Sequence, residues 1–177
     1  GPRHGGANSK VMEMMEDIRA HVNDYADEDE VAAYLTKIIN KEAFDKSGLV
    51  YGIGHAVYSL SDPRSLILRE FVEELARSKG AEEEYDFYSK VEVLAPEVIS
   101  NRRKMYKGVS ANIDFYSGFV YKMLDLPPAL YTPLFATARI AGWSAPRIEE
   151  LANEGKIIRP AYKAVCGHKE YTGMERR

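Results

Sequence analysis

Residues 52–64 read GIGHAVYSLSDPR: an imidazole at position 55 follows two glycines, with a guanidinium nine residues on. Gly52 and Gly54 leave bare backbone beside His55, which suits close approach by a ligand. His4 has a similar setting in GPRHGGAN, ahead of a Gly-Gly pair that leads into a helix. A helix start there would offer unpaired N–H groups to developing negative charge. A loop histidine making a structural hydrogen bond fits the same pattern, so neither imidazole is assigned by its setting alone. Asp114 stands in ANIDFYSG, with Ile113, Phe115 and Phe119 around it. On a helix these neighbours would partly desolvate the carboxylate, raise its pKa and make it a stronger base, as proton removal from carbon requires. The plainer alternative is an exposed acid near a helix start, favoured by the macrodipole. Arg64 and Arg139 lie in tightly turned or apolar segments, where a guanidinium held rigidly suits bidentate binding of a carboxylate. Lys104 and Lys107 belong to a basic run with Arg102 and Arg103, most simply a solvated face and less readily a phosphate contact. His21 and His168 have no comparable surroundings and read as structural or solvent-exposed.

Other chemistries are excluded by pattern. GIGHAV lacks the third glycine and the preceding strand of a dinucleotide fingerprint, and no Gly-Lys-Ser/Thr ending marks a phosphate loop. Cys166 is the only cysteine, so an intrachain disulfide and a cysteine-built zinc site are ruled out and a reducing, cytoplasmic setting is expected. The net charge of −3 argues against nucleic acid or an anionic membrane surface as a partner. No apolar run approaches a bilayer-spanning length.

The elements that must position these residues are helical almost throughout, and the fold class is expected to be all-α. With 45% apolar residues over 177 positions, the chain can bury a core. Asn8 and Ser9 are predicted to cap a helix over 10–22, with Val11, Met14, Met15 and Ile18 on its inner face. Asp27 starts a second helix with Val31, Tyr34, Leu35, Ile38 and Ile39 as its stripe. Asp62 caps a third with Pro63 in first position, followed by Leu66, Ile67, Phe71 and Leu75. A longer helix runs over 82–105, with Pro96 a candidate break or kink. Further helices are predicted over 112–124, 130–141 and 145–153, the last two separated at Gly142-Trp143-Ser144. The tail from Lys156 is expected to be extended.

Taken in order, these motifs resemble the C-terminal portion of citrate synthase. GPRHGGAN is similar to the family's Gly-Pro-x-His-Gly-Gly-Ala-Asn segment, and GIGHAVYSLSDPR to its Gly-x-Gly-His-x-Val-x-x-x-x-Asp-Pro-Arg segment. ANIDFYSG resembles its Asn-Val-Asp-x-x-Ser-Gly segment, FATARIAGW its arginine-bearing helix, and IIRPAY its last arginine motif. Relatives often carry Ala-His where this chain has Ala145-Pro146, at a position that is not one of the three catalytic groups.

The resemblance implies His4, His55 and Asp114 as catalytic residues: enolate stabiliser, oxaloacetate ketone partner and methyl-proton base. It implies Arg64, Arg139 and Arg159 as the carboxylate clamp for oxaloacetate and citrate, with Arg159 reaching the partner's site in a homodimer. Coenzyme A contacts are implied for the glycine loop, namely Gly52, Ile53, Gly54, Ala56 and Val57, with Lys104 and Lys107 beside them. The activity implied is an acyltransferase reaction at the entry to the tricarboxylic acid cycle, with acetyl-CoA and oxaloacetate as substrates and no metal or resident cofactor. A 2-methylcitrate synthase using propionyl-CoA is the nearest alternative, citrate-cleaving lyases come third, and a silent helical interaction module is a reading of another class. GPRHGGANSK lacks an initiator Met and reads as the interior of a longer chain. The resemblance divides the chain into a small mobile domain over 1–118 and part of the large domain over 119–177.

Overall fold

The computed structural model describes residues 5–103, 108–154, 167 and 173–176. Among these residues six helices follow one another: α1 (Ala7–His21), α2 (Glu28–Ile39), α3 (Pro63–Lys79), α4 (Glu82–Arg103), α5 (Ile113–Met123) and α6 (Tyr131–Ala152). Short 3₁₀ turns occupy Pro128–Leu130 and Met174–Arg176. Among the described residues, extended pairing is limited to an isolated antiparallel bridge between Ile53 and Ala111. The all-α expectation holds. No helix among the described residues is long and apolar enough to cross a membrane. The chain forms two compact units, Gly1–Ala138 and Arg139–Arg177.

The first unit is built around α5, which packs against α1 and α3, while α4 packs against α2 and α3. The predicted stripes of α1 and α2 are largely buried: Val11, Met14, Met15 and Ile18 on one, Val31, Tyr34, Leu35 and Ile38 on the other. Aromatic rings fill the centre, with Tyr88 of α4 stacked on Phe119 of α5 at 4.8 Å between centroids and edge-on to Phe115. Offset and edge contacts of this kind add to the burial of the rings themselves. Gly118 lets α1 come close, because a Cβ there would lie 2.7 Å from Met12 Cγ and 3.1 Å from the Asn8 carbonyl oxygen.

Several local expectations shift. α1 begins at Ala7 with Gly6, not Asn8, at its N-cap; Asn8 is buried within the first turn, its Oδ1 accepting the Ser9 N–H at 2.8 Å and its Nδ2 without a partner among the described residues. On α3 the buried positions are Ser65, Val72 and Ala76, whereas Leu66, Ile67 and Phe71 are exposed. That inner face follows 3.6-residue periodicity set by the packing on α4 and α5, which runs beside the more apolar residues rather than through them. α4 passes through Pro96 without ending, held on either side by the buried Val91, Ala95 and Ile99. α6 is one helix through Gly142 and Pro146. Ala136, Ala138, Ala141 and Ala145 are strong helix formers, and the single glycine costs only about 1 kcal/mol. The predicted extended tail lies largely outside the described residues.

Candidate active site

Two sequence motifs meet at the start of α5. The Asn112 backbone N–H donates to the Gly52 carbonyl (2.8 Å), and the Gly54 N–H donates to the Ser110 carbonyl (2.7 Å). The Asn112 side chain completes the latch: its Nδ2 donates to the Gly54 carbonyl at 2.8 Å, while its Oδ1 accepts the Asp114 N–H at 2.9 Å. One asparagine therefore caps α5 and pins the glycine loop to it. Asp114 follows in the first turn, half-buried, where the unpaired amides of the helix start favour a negative charge.

Gly52 is needed by the protein's own packing. It has a φ of +79°, and a Cβ there would lie 2.8 Å from Val11 Cγ2 and 2.9 Å from the Phe115 Cα. Gly54, at a φ of +98°, faces nothing closer than Val109 at 3.5 Å, so its requirement is conformational. Ile53 is bridged to Ala111. Of the described residues implied for coenzyme A, Ala56 and Val57 are the exposed ones.

Beyond the latch, the backbone folds over the His55 ring. The N–H groups of Val57 and Tyr58 both donate to His55 Nδ1, at 3.0 and 3.2 Å. A ring nitrogen accepting two amide protons carries the lone pair, so the proton of the neutral imidazole sits on Nε2 and leaves it a donor. The Tyr58 ring lies against the imidazole, 4.9 Å between centroids, and Arg64 Cζ stands 5.4 Å from the same tyrosine ring.

Asp62 holds the guanidinium. Its fully buried carboxylate caps α3 through the Arg64 N–H and accepts from Arg64 Nε (3.0 Å) and Nη2 (2.8 Å). The Arg64 hydrogen bonds hold the Asp62 carboxyl below the usual carboxylate range despite its burial, helped by the Ile113 backbone amide. Arg64 is raised in turn, chiefly by Asp62, with Tyr58 and Asp114 contributing. A guanidinium committed through Nε and Nη2 keeps its Nη1 side for a further acceptor.

The position of α5 is set from its other side by a charged network. Tyr116 Oη donates to Glu92 Oε2 at 2.7 Å, and Arg69 of α3 pairs with that same oxygen at 3.2 Å. Burial and the neighbouring Glu92 push the Tyr116 phenol up and keep it a donor. The backbone just after His4 is also fixed: the Thr132 hydroxyl donates to the Gly5 carbonyl.

Of the residues singled out by sequence, His55, Arg64 and Asp114 are thus gathered where the glycine loop, the start of α3 and the start of α5 converge. Arg139 is an exposed residue of α6 at the start of the second unit. His4, Lys104, Lys107 and Arg159 lie outside the described residues. Tyr58, Asp62 as a partner of Arg64, and Asn112 as a latch do not stand out by residue type. Asn112 does carry a visible signal, since an asparagine two positions before an acid is a strong helix cap. Its bond to Gly54, across 58 positions, carries none.

An all-helical unit with a donor imidazole, a clamped guanidinium and a helix-start carboxylate has the groups to bind and enolise carbonyl compounds. The family model "Citrate synthase, C-terminal domain" matches residues 1–161. A citrate synthase of Synechocystis sp. is 38% identical over all of this chain and 40% of its own length. A 2-methylcitrate synthase of Shewanella oneidensis is 34% identical over 91% of the chain and 37% of its own. Among solved structures, the Thermoplasma acidophilum citrate synthase in ternary complex with carboxymethyl coenzyme A and oxaloacetate superposes with a TM-score of 0.66. It is 28% identical, and the match covers 100% of this chain and 43% of that one. The chain belongs to the citrate synthase family. It spans about 40% of the length of the curated relatives it matches.

Proposed function

We propose that the protein carrying this chain condenses acetyl-CoA with oxaloacetate and water to give citrate and free coenzyme A. The observation that supports this most is the Asn112 latch, which brings the His55–Arg64 loop to the helix start bearing Asp114. In this reading Asp114 takes a proton from the thioester methyl group while His4 donates a hydrogen bond to the thioester carbonyl. Acting together, base and donor make a weak carbon acid ionisable. The resulting enol carbon attacks the ketone carbon of oxaloacetate, and the ketone oxygen takes its proton from His55 Nε2. Arg64, Arg139 and Arg159 hold the two oxaloacetate carboxylates, so that attack follows from placement. Water then cleaves the citryl thioester and coenzyme A departs as the thiol.

The same reading makes residues 1–118 a mobile small domain and 119–177 part of the large domain, in a cytoplasmic homodimer where Arg159 serves the partner's site. Ala56, Val57, Lys104 and Lys107 would meet coenzyme A. A propionyl thioester adds one methylene, a difference worth only about 10- to 200-fold in a hydrophobic pocket. The likeness to a 2-methylcitrate synthase favours measuring both thioesters.

The test is thiol release by the full-length protein with oxaloacetate and either acetyl-CoA or propionyl-CoA. Acetyl-CoA is expected to be preferred, and an inert full-length protein overturns the assignment. Asp114→Ala is expected to lower kcat by roughly 10²- to 10⁴-fold, the range of general-base contributions. Oxaloacetate binding by calorimetry should survive the change. A loss of only a few fold would remove Asp114 from the role of base.

A further inference from the structure

We propose that Tyr58 is a positioning residue that fixes the spacing between the proton donor His55 and the carboxylate-binding edge of Arg64. The proposal rests on the roles of those two residues in the condensation, and it adds a third side chain that bonds to neither substrate.

The geometry is specific to this side chain. His55 and Arg64 both lie against one tyrosine ring. The imidazole sits 4.9 Å from the ring centroid with its plane inclined by 31°. The guanidinium carbon stands 5.4 Å from the same ring's centroid, within the distance at which a cation is drawn to an aromatic face. The backbone N–H of Tyr58 adds a bond to His55 Nδ1, and that of Val57 adds another. These amides hold the proton on Nε2 only while the ring stays aligned with them, and two bonds to one atom leave the ring free to swing out of that alignment. The tyrosine ring removes that swing and so sets the direction of Nε2–H.

Arg64 is constrained in the same way. Asp62 takes Nε and Nη2, which leaves Nη1 for substrate and allows the guanidinium to pivot about the ion pair. Contact with the tyrosine face limits the pivot. His55 is exposed and the Arg64 side chain is 44% exposed, so neither is locked by surrounding packing. The half-buried Tyr58 is the rigid body common to both. An oxo-diacid must meet a donor at its ketone and a cation at its carboxylate across a short fixed span. A ring that both donor and cation lie against sets that span.

The test uses the full-length protein with Tyr58→Leu and Tyr58→Phe. Tyr58→Leu is expected to raise KM for oxaloacetate and lower kcat, together reducing kcat/KM by roughly 10- to 100-fold, as misplacement of reacting groups does. KM for the acyl thioester should stay within about twofold, since only oxo-acid placement is altered. Tyr58→Phe keeps the ring and should stay near wild type. Independently of turnover, ¹⁵N spectra of the His55 imidazole should show one acceptor and one N–H nitrogen in wild type and in Tyr58→Phe. In Tyr58→Leu the two resonances should move toward each other as tautomers exchange. If Tyr58→Leu does not fold, Tyr58→Gln, which keeps length and polarity without a ring, is measured in its place. Wild-type kinetics and a wild-type ¹⁵N pattern in the ringless variant overturn the proposal. A wild type inert toward oxaloacetate sinks the enzymatic reading instead, and the ¹⁵N comparison still decides whether Tyr58 positions His55.

Discussion

At Gly52 a side chain has nowhere to go. The backbone is left-handed there, which costs an L-residue about 1–2 kcal/mol, and the added carbon would press on the Phe115 Cα at 2.9 Å. Backbone cannot swing aside as a side-chain tip can. Gly52→Ala is therefore expected to destabilise the chain by about 2–4 kcal/mol, strain and overpacking together. Gly142 gives the contrast: it sits inside α6, where an added Cβ would meet nothing within 4 Å beyond its own helix backbone. Gly142→Ala should stabilise by about 0.5–1 kcal/mol. Urea denaturation of the two variants beside the parent checks the pair, and a neutral Gly52→Ala would contradict the packing argument. In sequence the two glycines look alike as breaks in helical pattern. The need for glycine at 52 comes from Val11 and Phe115, which are far away along the chain, whereas the local motif suggests space kept for a ligand. His55, Arg64 and Asp114 are legible because their types and motif order are unusual. Tyr58 is not, since its importance is a matter of which ring and which charge face it.

Among the elements, α3 shows how a cap becomes part of a site. Asp62 and Pro63 are readable as its start because capping is a local bond between a side chain and nearby amides. What the Asp-Pro pattern does not reveal is that the same carboxylate is buried and grips Arg64. Because the folded-state pKa of Asp62 is depressed, its contribution to stability is present above the unfolded carboxyl value near 3.9. It is lost as pH falls through the folded value, where the native carboxylate also takes up a proton. Asp62→Asn is thus expected to cost about 1–2 kcal/mol at pH 7, with allowance for the half-exposed guanidinium. The gap from wild type should close progressively below pH 4. Denaturant midpoints for both proteins between pH 7 and pH 3 check this, and a gap that does not change with pH would exclude the ion pair as its source. The caps of α2 and α5, at Asp27 and Asn112, are legible for the same local reason. The continuity of α4 through Pro96 and of α6 through Gly142 and Pro146 is not. A breaking residue sets only a local cost, and packing or strong helix formers on either side can exceed it.

For the whole molecule, the fold class is legible because 3.6-residue periodicity recurs along the chain, whereas the meeting of distant motifs needs the latch between positions 54 and 112. Apolar exposure then bears on how the 177-residue chain behaves by itself. In the first unit, Ile67 and Phe71 of α3 are 60% and 64% exposed. Within α6, Ile140, Trp143, Ile148 and Leu151 fall on one side of the helix, and all are more than half exposed. Contiguous apolar surface of this kind is rare on monomeric soluble proteins and marks a face that another surface covers. The relatives extend well beyond the matched region, at about two and a half times its length. We therefore expect the isolated chain to self-associate and to release no thiol from acetyl-CoA with oxaloacetate, while the full-length protein does. Sedimentation velocity over a range of concentrations should show average mass rising with concentration, and Trp143→Glu with Ile148→Glu should lower it. A monodisperse monomer of 20.0 kDa at all concentrations would show that these side chains need no cover. Turnover by the isolated chain would mean that His55, Arg64 and Asp114 need nothing outside it to assemble a working site.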